Sequence, residues 1–234
     1  MEKLNVLVLG DGLLGSELVK QTGWDFISRK NETFDMDNIW GSIPKDDKFT
    51  PKHNIIINCI ANTDTYSKVK DLHWEVNYQF VDKLIKYCNA NNVKLVHIST
   101  DYLYSGSNPN ASEEDVPVHC NNWYGYTKLL GDGLVQLQAN DYLLIRCTHK
   151  IKPFPYENAW VNQTGNFDYV DVISGLIIKL VKSDSFGLFN VGTETKSMYD
   201  LALETKSVGL DLAPFYVPKN TSMNITKLKN KLDA

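Results

Sequence analysis

Short apolar runs alternate with longer segments of helical spacing along the first two-thirds of the chain. The helical segments cover residues 13–21, 74–90 and 122–139. Nearly continuous apolar runs are typical of parallel strands that are buried on both faces. Strands that alternate with helices imply right-handed β-α-β crossovers, so the pattern predicts a doubly wound parallel sheet of the α/β class. The predicted strands cover residues 4–9, 24–27, 54–59, 93–99 and 141–146.

The rhythm changes after residue 146. Two prolines and several Asn and Gly residues predict an irregular loop over 150–168. Ser197 and Asp200 have the spacing of a capping box, which indicates the start of a helix. The elements predicted in this part are a helix over 170–181, a strand over 187–191, a helix ending at 205 and a short strand over 215–218.

The chain is long enough for one nucleotide-binding domain with a small appendage. We assign residues 1–149 to that domain and residues 150–234 to a small C-terminal lobe with segments that return to the core. Hydrophobic residues make up 43% of the 234 residues and charged residues 22%, which is typical of a globular protein. The net charge of −4 has the wrong sign for a nucleic-acid-binding protein.

Cysteine spacing and hydropathy limit the compartment and the cofactors. No C-x-x-C pair occurs, so we expect neither a zinc site nor a disulfide framework. No apolar stretch reaches the ~20 residues of a membrane span, and the first residues do not form a signal peptide. We therefore expect a cytoplasmic protein without a metal and without a membrane partner. The four cysteines are Cys59, Cys88, Cys120 and Cys147.

A glycine-rich loop follows the first predicted strand. Gly10, Gly12 and Gly15 have the G-x-G-x-x-G spacing, which allows a tight turn, a close approach of backbone to pyrophosphate and close packing of helix on strand. The N-terminus of the next helix offers free N–H groups and a positive dipole end. The loop therefore predicts dinucleotide binding by a Rossmann-type domain.

The end of the second predicted strand indicates which dinucleotide is preferred. Cofactors with a free ribose 2′-hydroxyl usually meet an acidic residue about 20 residues beyond the glycines. Here the strand ends in Ser28, Arg29 and Lys30. A hydroxyl and two cations favour a 2′-phosphate, so we expect NADP(H) rather than NAD(H).

Three polar residues predict a site for proton transfer. Tyr124 and Lys128 are four apart, so they share one face of a helix. An ammonium beside a phenol favours the phenolate, so such a tyrosine can donate or accept a proton near neutral pH. Thr100 ends a predicted strand, where α/β sheets bind ligands. Tyr126 is the rival phenol, but its spacing from Lys128 points it elsewhere on the helix.

The chain resembles the extended short-chain dehydrogenase/reductases and, among them, the dTDP-4-dehydrorhamnose reductase family. The most specific motifs are HISTDYLYSG and YGYTK, and others are VLVLGDGLLGSEL, FDMDN, NIIINCIANT and FNVGTET. The resemblance implies a reductase that uses NAD(P)H on a nucleotide-linked 4-keto-6-deoxy sugar, with a C-terminal substrate lobe. It implies a catalytic triad of Thr100, Tyr124 and Lys128, and cofactor contacts by Gly12, Leu13, Leu14, Asp35, Met36, Ala61, Asn62 and Thr63. The substrate contacts that it implies are Thr100, Asp101 and His149.

The sequence departs from the family pattern in three ways, which keep alternatives open. The glycine loop is one residue tighter than the family's G-x-x-G-x-x-G, and His149 replaces an aromatic residue. The lobe after Arg146 lacks most of the family's insertion. One alternative is a nucleotide-sugar epimerase or dehydratase that recycles its cofactor. Another is an NADP-binding regulatory or partner subunit without catalysis, and a homodimer stays an open option.

Overall fold

The computed structural model describes residues 4–28, 35–48, 50–119 and 121–233. The chain alternates strands and helices up to residue 147 and then forms shorter elements. The elements of the first part are β1 (Val6–Leu9), α1 (Leu13–Thr22), β2 (Asp25–Ile27), α2 (Ile39–Ser42), β3 (Ile55–Asn58), α3 (Lys70–Trp74), α4 (Phe80–Asn91), β4 (Lys94–Thr100), α5 (Trp123–Gln138) and β5 (Tyr142–Cys147).

A six-stranded parallel sheet forms the centre of the molecule. The sixth strand, β10 (Gly187–Val191), comes from the second part of the chain, and the strand order is β10-β5-β4-β3-β1-β2. Every pairing in this sheet is parallel, which confirms the predicted doubly wound arrangement. The elements of the second part are β6 (His149–Lys150), β7 (Asn158–Trp160), β8 (Thr164–Gly165), β9 (Asp168–Tyr169), α6 (Val170–Lys182), β10 (Gly187–Val191), β11 (Lys196–Ser197), α7 (Met198–Leu203), β12 (Gly209–Asp211), β13 (Asn220–Thr221) and α8 (Thr226–Leu232).

Apolar side chains cover both faces of this sheet. On one face, α1 and α6 pack against strand residues such as Val8 and Ile145. On the other, α4 packs against Leu7 and Leu95, and its Phe80, Leu84 and Tyr87 are buried, as is Val76 just before the helix. Burial of strands on both faces explains the continuous apolar runs in the sequence.

The helix predicted over residues 74–90 contains a π-helical turn at Glu75–Gln79. This turn directs the Asn77 side chain inward, where its Oδ1 accepts from the backbone N–H of Asn62 at 2.8 Å and its Nδ2 donates to the Asn62 carbonyl at 3.1 Å. The backbone carbonyl of Asn77 also lies 2.4 Å from where a Cβ on Gly131 would sit. The turn therefore fixes the loop after β3 and brings α5 close to it. The spacing of apolar residues did not indicate this irregular turn.

The segment after β5 contributes to the central sheet and also forms small sheets of its own. Strand β10 pairs with β5, while β8 pairs with β11 and β13, β7 with β12, and β6 with β9. A separate apolar cluster includes Phe154, Phe167 and Met198. The division at residue 149 stays a prediction.

Two predictions for this segment were wrong. Residues 150–168 are not wholly irregular, because they contain β7 and β8 and the start of β9. The strand predicted over 215–218 does not form. Its Phe215 is 95% exposed, and Pro214 and Pro218 at its borders lack the N–H that a strand ladder needs. The strand of the tail is β13, and α8 follows it.

Candidate active site

The glycine loop between β1 and α1 brings backbone close to backbone. Gly10 has a φ of +97°, a backbone conformation that residues with a side chain rarely adopt. A Cβ on Gly15 would lie 2.0 Å from the Gly10 carbonyl oxygen, whereas a Cβ on Gly12 would meet no atom of the described residues within 4 Å. Gly12 caps α1 without a side-chain hydrogen bond. The loop therefore has the shape of a phosphate cradle, with Gly12 open to a ligand.

One cavity of about 430 Å³ lies beside this loop, at the carboxyl ends of the central strands. It brings together residues that are far apart in the sequence, including all three predicted catalytic residues. Predicted site residues that line it are Gly12, Leu13, Leu14, Gly15, Ala61, Thr63, Thr100, Tyr124, Lys128 and His149.

Tyr124 and Lys128 reach the cavity from the first turns of α5. The Asn122 side chain caps this helix by accepting from the Gly125 N–H at 2.7 Å. The Tyr124 ring contacts the Tyr102 ring edge-on, with 5.8 Å between centroids. Tyr126 instead contacts Trp74, Trp123 and His119 and lines a different cavity. The helix therefore presents Tyr124, and not Tyr126, to the cavity of Lys128.

Lys128 is a buried cation at the floor of the cavity. Only 2% of its surface is exposed, and its Nζ donates to the Ile98 carbonyl at 2.7 Å. Burial lowers the pKa of Lys128 to about 8, against an opposing effect of Asp132. Lys128 is therefore largely protonated at neutral pH but weakly solvated, which strengthens its effect on a neighbouring phenol.

The Thr100 hydroxyl lies at the end of β4 and has two protein partners. It accepts from the Tyr102 N–H at 3.2 Å and donates to an Asp101 carboxylate oxygen over a long 3.3 Å. Asp101 is 2% exposed and also accepts hydrogen bonds from Thr148 and, at 2.7 Å, from Thr221. Thr100 can therefore turn its proton toward a ligand while Asp101 keeps two other donors.

The remaining predicted residues lie around the cavity or apart from it. Asn62 is held by Asn77, between the cavity-lining residues Ala61 and Thr63. Gly10, Asn62 and Asp101 are adjacent to the lining but not part of it. Their roles as contacts stay predictions.

The predicted adenine-side residues lie away from this cavity. Ser28 is buried at the end of β2. The Asp35 carboxylate accepts from the Asp37 N–H at 2.8 Å, and Met36 packs against the apolar cluster of α4. Arg29, which carried the prediction of NADP(H), and Lys30 lie outside the described residues. The cofactor preference therefore stays a prediction.

His149 lines this cavity of about 430 Å³ and also a larger neighbouring one. Its Nδ1 is buried, and no hydrogen-bond partner for it lies among the residues that the structure describes. Burial, with a smaller effect of Lys150, lowers the pKa of His149 to about 4, so the ring is neutral at neutral pH. A neutral imidazole can exchange a hydrogen bond with a ligand but cannot supply a charge.

Sequence reasoning missed several lining residues. Thr65, Tyr102 and Lys150 follow predicted site residues by one or two places. The others lie at the carboxyl ends of β3, β4 and β5, where the rule that ligands bind at the ends of parallel strands would have found them. The missed residues are Cys59, Thr65, Ile98, Ser99, Tyr102, Cys147, Thr148 and Lys150.

Two thiols line the cavity but are not activated. Burial raises the pKa of the Cys59 thiol to about 12, against a smaller opposing effect of Lys128, and it raises the pKa of Cys147 further. Both therefore stay protonated at neutral pH, and a protonated thiol is a poor nucleophile. The chemistry of the cavity therefore rests on its hydroxyls and its ammonium groups.

Two absences apply to residues 4–28, 35–48, 50–119 and 121–233. No group of three or more His, Cys, Asp or Glu side chains is placed to hold a metal ion. No helix in the same ranges combines the length and the apolar character needed to cross a bilayer.

Comparison with known proteins finds one matching family model and several relatives of partial length. Residues 4–150 match the family model described as the RmlD substrate binding domain. Methionine adenosyltransferase 2 subunit beta of Pongo abelii is 33% identical over 145 residues, which are 56% of this chain and 42% of that protein. The dTDP-4-dehydrorhamnose reductase of Mycolicibacterium smegmatis is 30% identical over 127 residues, which are 51% of this chain and 34% of that protein. The chain thus spans less than half the length of these two curated relatives.

A solved structure confirms the fold over the whole chain. The dTDP-4-dehydrorhamnose reductase from Bacillus anthracis str. Ames, in complex with NADP, superimposes with a TM-score of 0.80. The superposition covers 98% of this chain and 93% of that one, at 22% sequence identity. At this identity the likeness supports the α/β architecture with its parallel sheet.

Proposed function

The chain belongs to the RmlD substrate binding domain family, and on that premise we propose that it is an NADPH-dependent reductase. Its substrate would be a nucleotide-linked 4-keto-6-deoxy sugar, of the dTDP-4-dehydrorhamnose type. The observation that carries the proposal is the single cavity lined by the glycine loop, Thr100, Tyr124 and Lys128. These are a cradle for a dinucleotide, a hydroxyl donor, a phenol and an ammonium, which together fit carbonyl reduction.

The residues of the cradle fit a dinucleotide. The close approach of Gly15 to Gly10 leaves no room for side chains in the turn, and the open position of Gly12 leaves room for a phosphate. Gly12, Leu13 and Leu14 would hold the pyrophosphate. Ala61 and Thr63 would contact the middle of the cofactor. A bound nicotinamide cofactor supplies the hydride for reduction.

Thr100, Tyr124 and Lys128 have separate roles at the oxygen atom of the ketone. The Thr100 hydroxyl rotates away from the Asp101 carboxylate and donates its hydrogen bond to the carbonyl oxygen, which orients the carbonyl. Tyr124 donates its phenolic proton to the alkoxide that forms. Lys128 stabilises the resulting phenolate, because its ammonium is buried at the floor of the same cavity.

The direct test follows NADPH absorbance in the presence of dTDP- or UDP-linked 4-keto-6-deoxyglucose. Substrate-dependent oxidation, with one alcohol formed per NADPH consumed, supports the proposal. The same assay with NADH tests the preference, because the cations predicted to bind a 2′-phosphate favour NADPH. A strong preference for NADH would remove Arg29 from cofactor recognition while leaving the reductase proposal in place.

A second candidate is a cofactor-binding regulatory subunit. The similarity to methionine adenosyltransferase 2 subunit beta favours it, since that relative is named as a subunit. The candidates differ in one observable. A regulatory subunit would bind NADPH with no oxidation on any keto-sugar nucleotide, whereas the reductase oxidises it.

A further inference from the structure

Two cavities meet at a wall formed by Leu13, His149 and Lys150. One is the active-site cavity of about 430 Å³, and the other has a volume of about 810 Å³. The short strand β6 places His149 and Lys150 here by pairing with β9. The larger cavity has an aromatic lining of Phe154, Tyr156 and Trp160.

The Lys150 ammonium lies at this junction without a close partner among the residues that the structure describes. Within the described part of the chain it makes no hydrogen bond and no ion pair. Two other lysines of the C-terminal segment are paired: Lys152 with Asp171 at 2.7 Å, and Lys196 with Asp168 at 3.0 Å. Lys150 therefore keeps its three donors for something else.

The surroundings of Lys150 disfavour an unpaired charge. Burial lowers the pKa of Lys150, and the attraction of Asp101 only partly offsets this effect. Asp101 itself is committed to threonine hydroxyls. Glu157 and Asp211 line the larger cavity, but neither forms an ion pair with Lys150. An anion at the junction would therefore relieve an uncompensated charge.

His149 adds an unused polar atom to the same wall. Its buried Nδ1 lacks a hydrogen-bond partner within the described residues, and the ring borders both cavities. Buried polar atoms nearly always have a partner, so an orphaned one beside a cavity points to a ligand.

We propose that Lys150 binds a phosphate group of a ligand held across this junction, with His149 contributing a hydrogen bond. The inference rests on the proposed function, because a dinucleotide and a nucleotide-linked sugar both carry diphosphates. Leu13, which belongs to the phosphate loop, lies in the same wall, so the cofactor and the substrate are both sources of such a group.

The test compares the wild type with Lys150→Met, which keeps the aliphatic stem and removes the charge. Lys152→Met is the matched control, because Lys152 is half exposed and paired with Asp171. Three probes separate the sources: NADPH, dTDP and thymidine, which lacks phosphate. Affinities come from calorimetric titration, and folding is checked by the melting temperature.

We expect Lys150→Met to weaken binding of NADPH or of dTDP by roughly tenfold or more, as for the loss of a desolvated charge contact. The probe that loses affinity identifies the source. Lys150→Met should bind thymidine with the affinity of the wild type. Lys152→Met should bind all three probes with the affinities of the wild type. The melting temperature of Lys150→Met should be unchanged or higher, because an unpaired charge leaves a partly buried site. A purely structural lysine would lower it.

Unchanged affinity of Lys150→Met for both NADPH and dTDP would overturn the inference while leaving the reductase proposal standing. If Lys150→Met does not fold, Lys150→Gln replaces it in the same titrations. Lys150→Arg should keep the affinity of the wild type because it keeps the charge, and a loss equal to that of Lys150→Met would also count against the inference. If the wild type binds neither NADPH nor dTDP, both proposals fail together.

Discussion

Arg146 and Lys128 are both buried cations near the carboxyl ends of the central strands, yet their surroundings differ. Arg146 donates to both oxygens of Asp132, at 3.0 and 2.7 Å, and to the Tyr104 hydroxyl. Among the described residues, Lys128 makes a single hydrogen bond, of 2.7 Å to the Ile98 carbonyl, and it lines the cavity. Each cation is 2% exposed, so burial does not distinguish them.

The electrostatic consequences are opposite. Burial lowers the pKa of Arg146, but hydrogen bonds and charge from Asp132 and Tyr104 outweigh it and raise the pKa overall. Burial lowers the pKa of Lys128 to about 8, and no comparable set of partners offsets it. A buried cation that is paired with protein acceptors supports the fold, whereas a buried cation with unused donors can bind a ligand. Arg146 thus has a structural role.

The largest expected effect comes from removing the partner of Arg146. Asp132→Asn should lower the free energy of unfolding by about 3–5 kcal/mol, because a buried charge loses its counterion. Urea unfolding at neutral pH measures it. Asp82→Asn is the control: Asp82 pairs with the exposed Lys86 on α4, so its loss should cost less than about 1 kcal/mol. Equal costs for the two variants would contradict the comparison.

The buried charge of Lys128 should make the free energy of unfolding depend on pH. Its pKa in the folded state, about 8, lies below its ordinary 10.5, so between these values the unfolded chain binds more protons and stability rises with pH. Lys128→Met removes this penalty. The stability of Lys128→Met relative to the wild type should therefore be greatest near pH 7 and shrink by up to about 3 kcal/mol toward pH 10.

Urea unfolding of both proteins at pH 7 and pH 10 measures this difference. Lys152→Met serves as the control because Lys152 is exposed and paired. A stability difference between Lys128→Met and the wild type that does not change with pH would show that the Lys128 charge is already compensated.

Two glycines of the loop after β1 differ in the same way, because Gly15 packs against protein and Gly12 is open to a ligand. Gly15→Ala places a Cβ against the Gly10 carbonyl and should cost about 1–3 kcal/mol of stability through overpacking. In Gly12→Ala the new methyl meets no atom within 4 Å in the part of the chain that the structure describes, so the stability should change by less than about 0.5 kcal/mol. Gly12→Ala should nevertheless weaken NADPH binding, because the new methyl points toward the cradle. Unfolding curves and NADPH titration separate the two glycines, and intact NADPH affinity in Gly12→Ala would place the pyrophosphate elsewhere.

Local signals predicted the core of the molecule. Apolar runs such as residues 54–59 indicated buried parallel strands, and β3 formed within that range. The capping box at Ser197 and Asp200 formed as predicted, with both of its hydrogen bonds. The spacing of Tyr124 and Lys128 on one helix placed both side chains at one cavity.

Contacts between distant segments could not be predicted in the same way. The hydrogen bond from Thr221 to Asp101 joins residues 120 apart, so no local pattern announces it. The short strands β7 and β8 owe their form to partners in β12, β11 and β13 rather than to their own composition. Lys150 was missed for a related reason: it resembles any surface lysine until the fold closes two cavities around it.

The role of Tyr124 as proton donor in a carbonyl reduction is tested most directly by comparing Tyr124→Phe with Tyr126→Phe. Stopped-flow absorbance with NADPH and a nucleotide-linked 4-keto-6-deoxy sugar gives kcat, and titration gives the NADPH Kd. We expect kcat to fall by about 10²–10⁴-fold in Tyr124→Phe with the NADPH Kd nearly unchanged, while Tyr126→Phe behaves as the wild type. A Tyr124→Phe variant that reduces the sugar at the rate of the wild type would contradict this role.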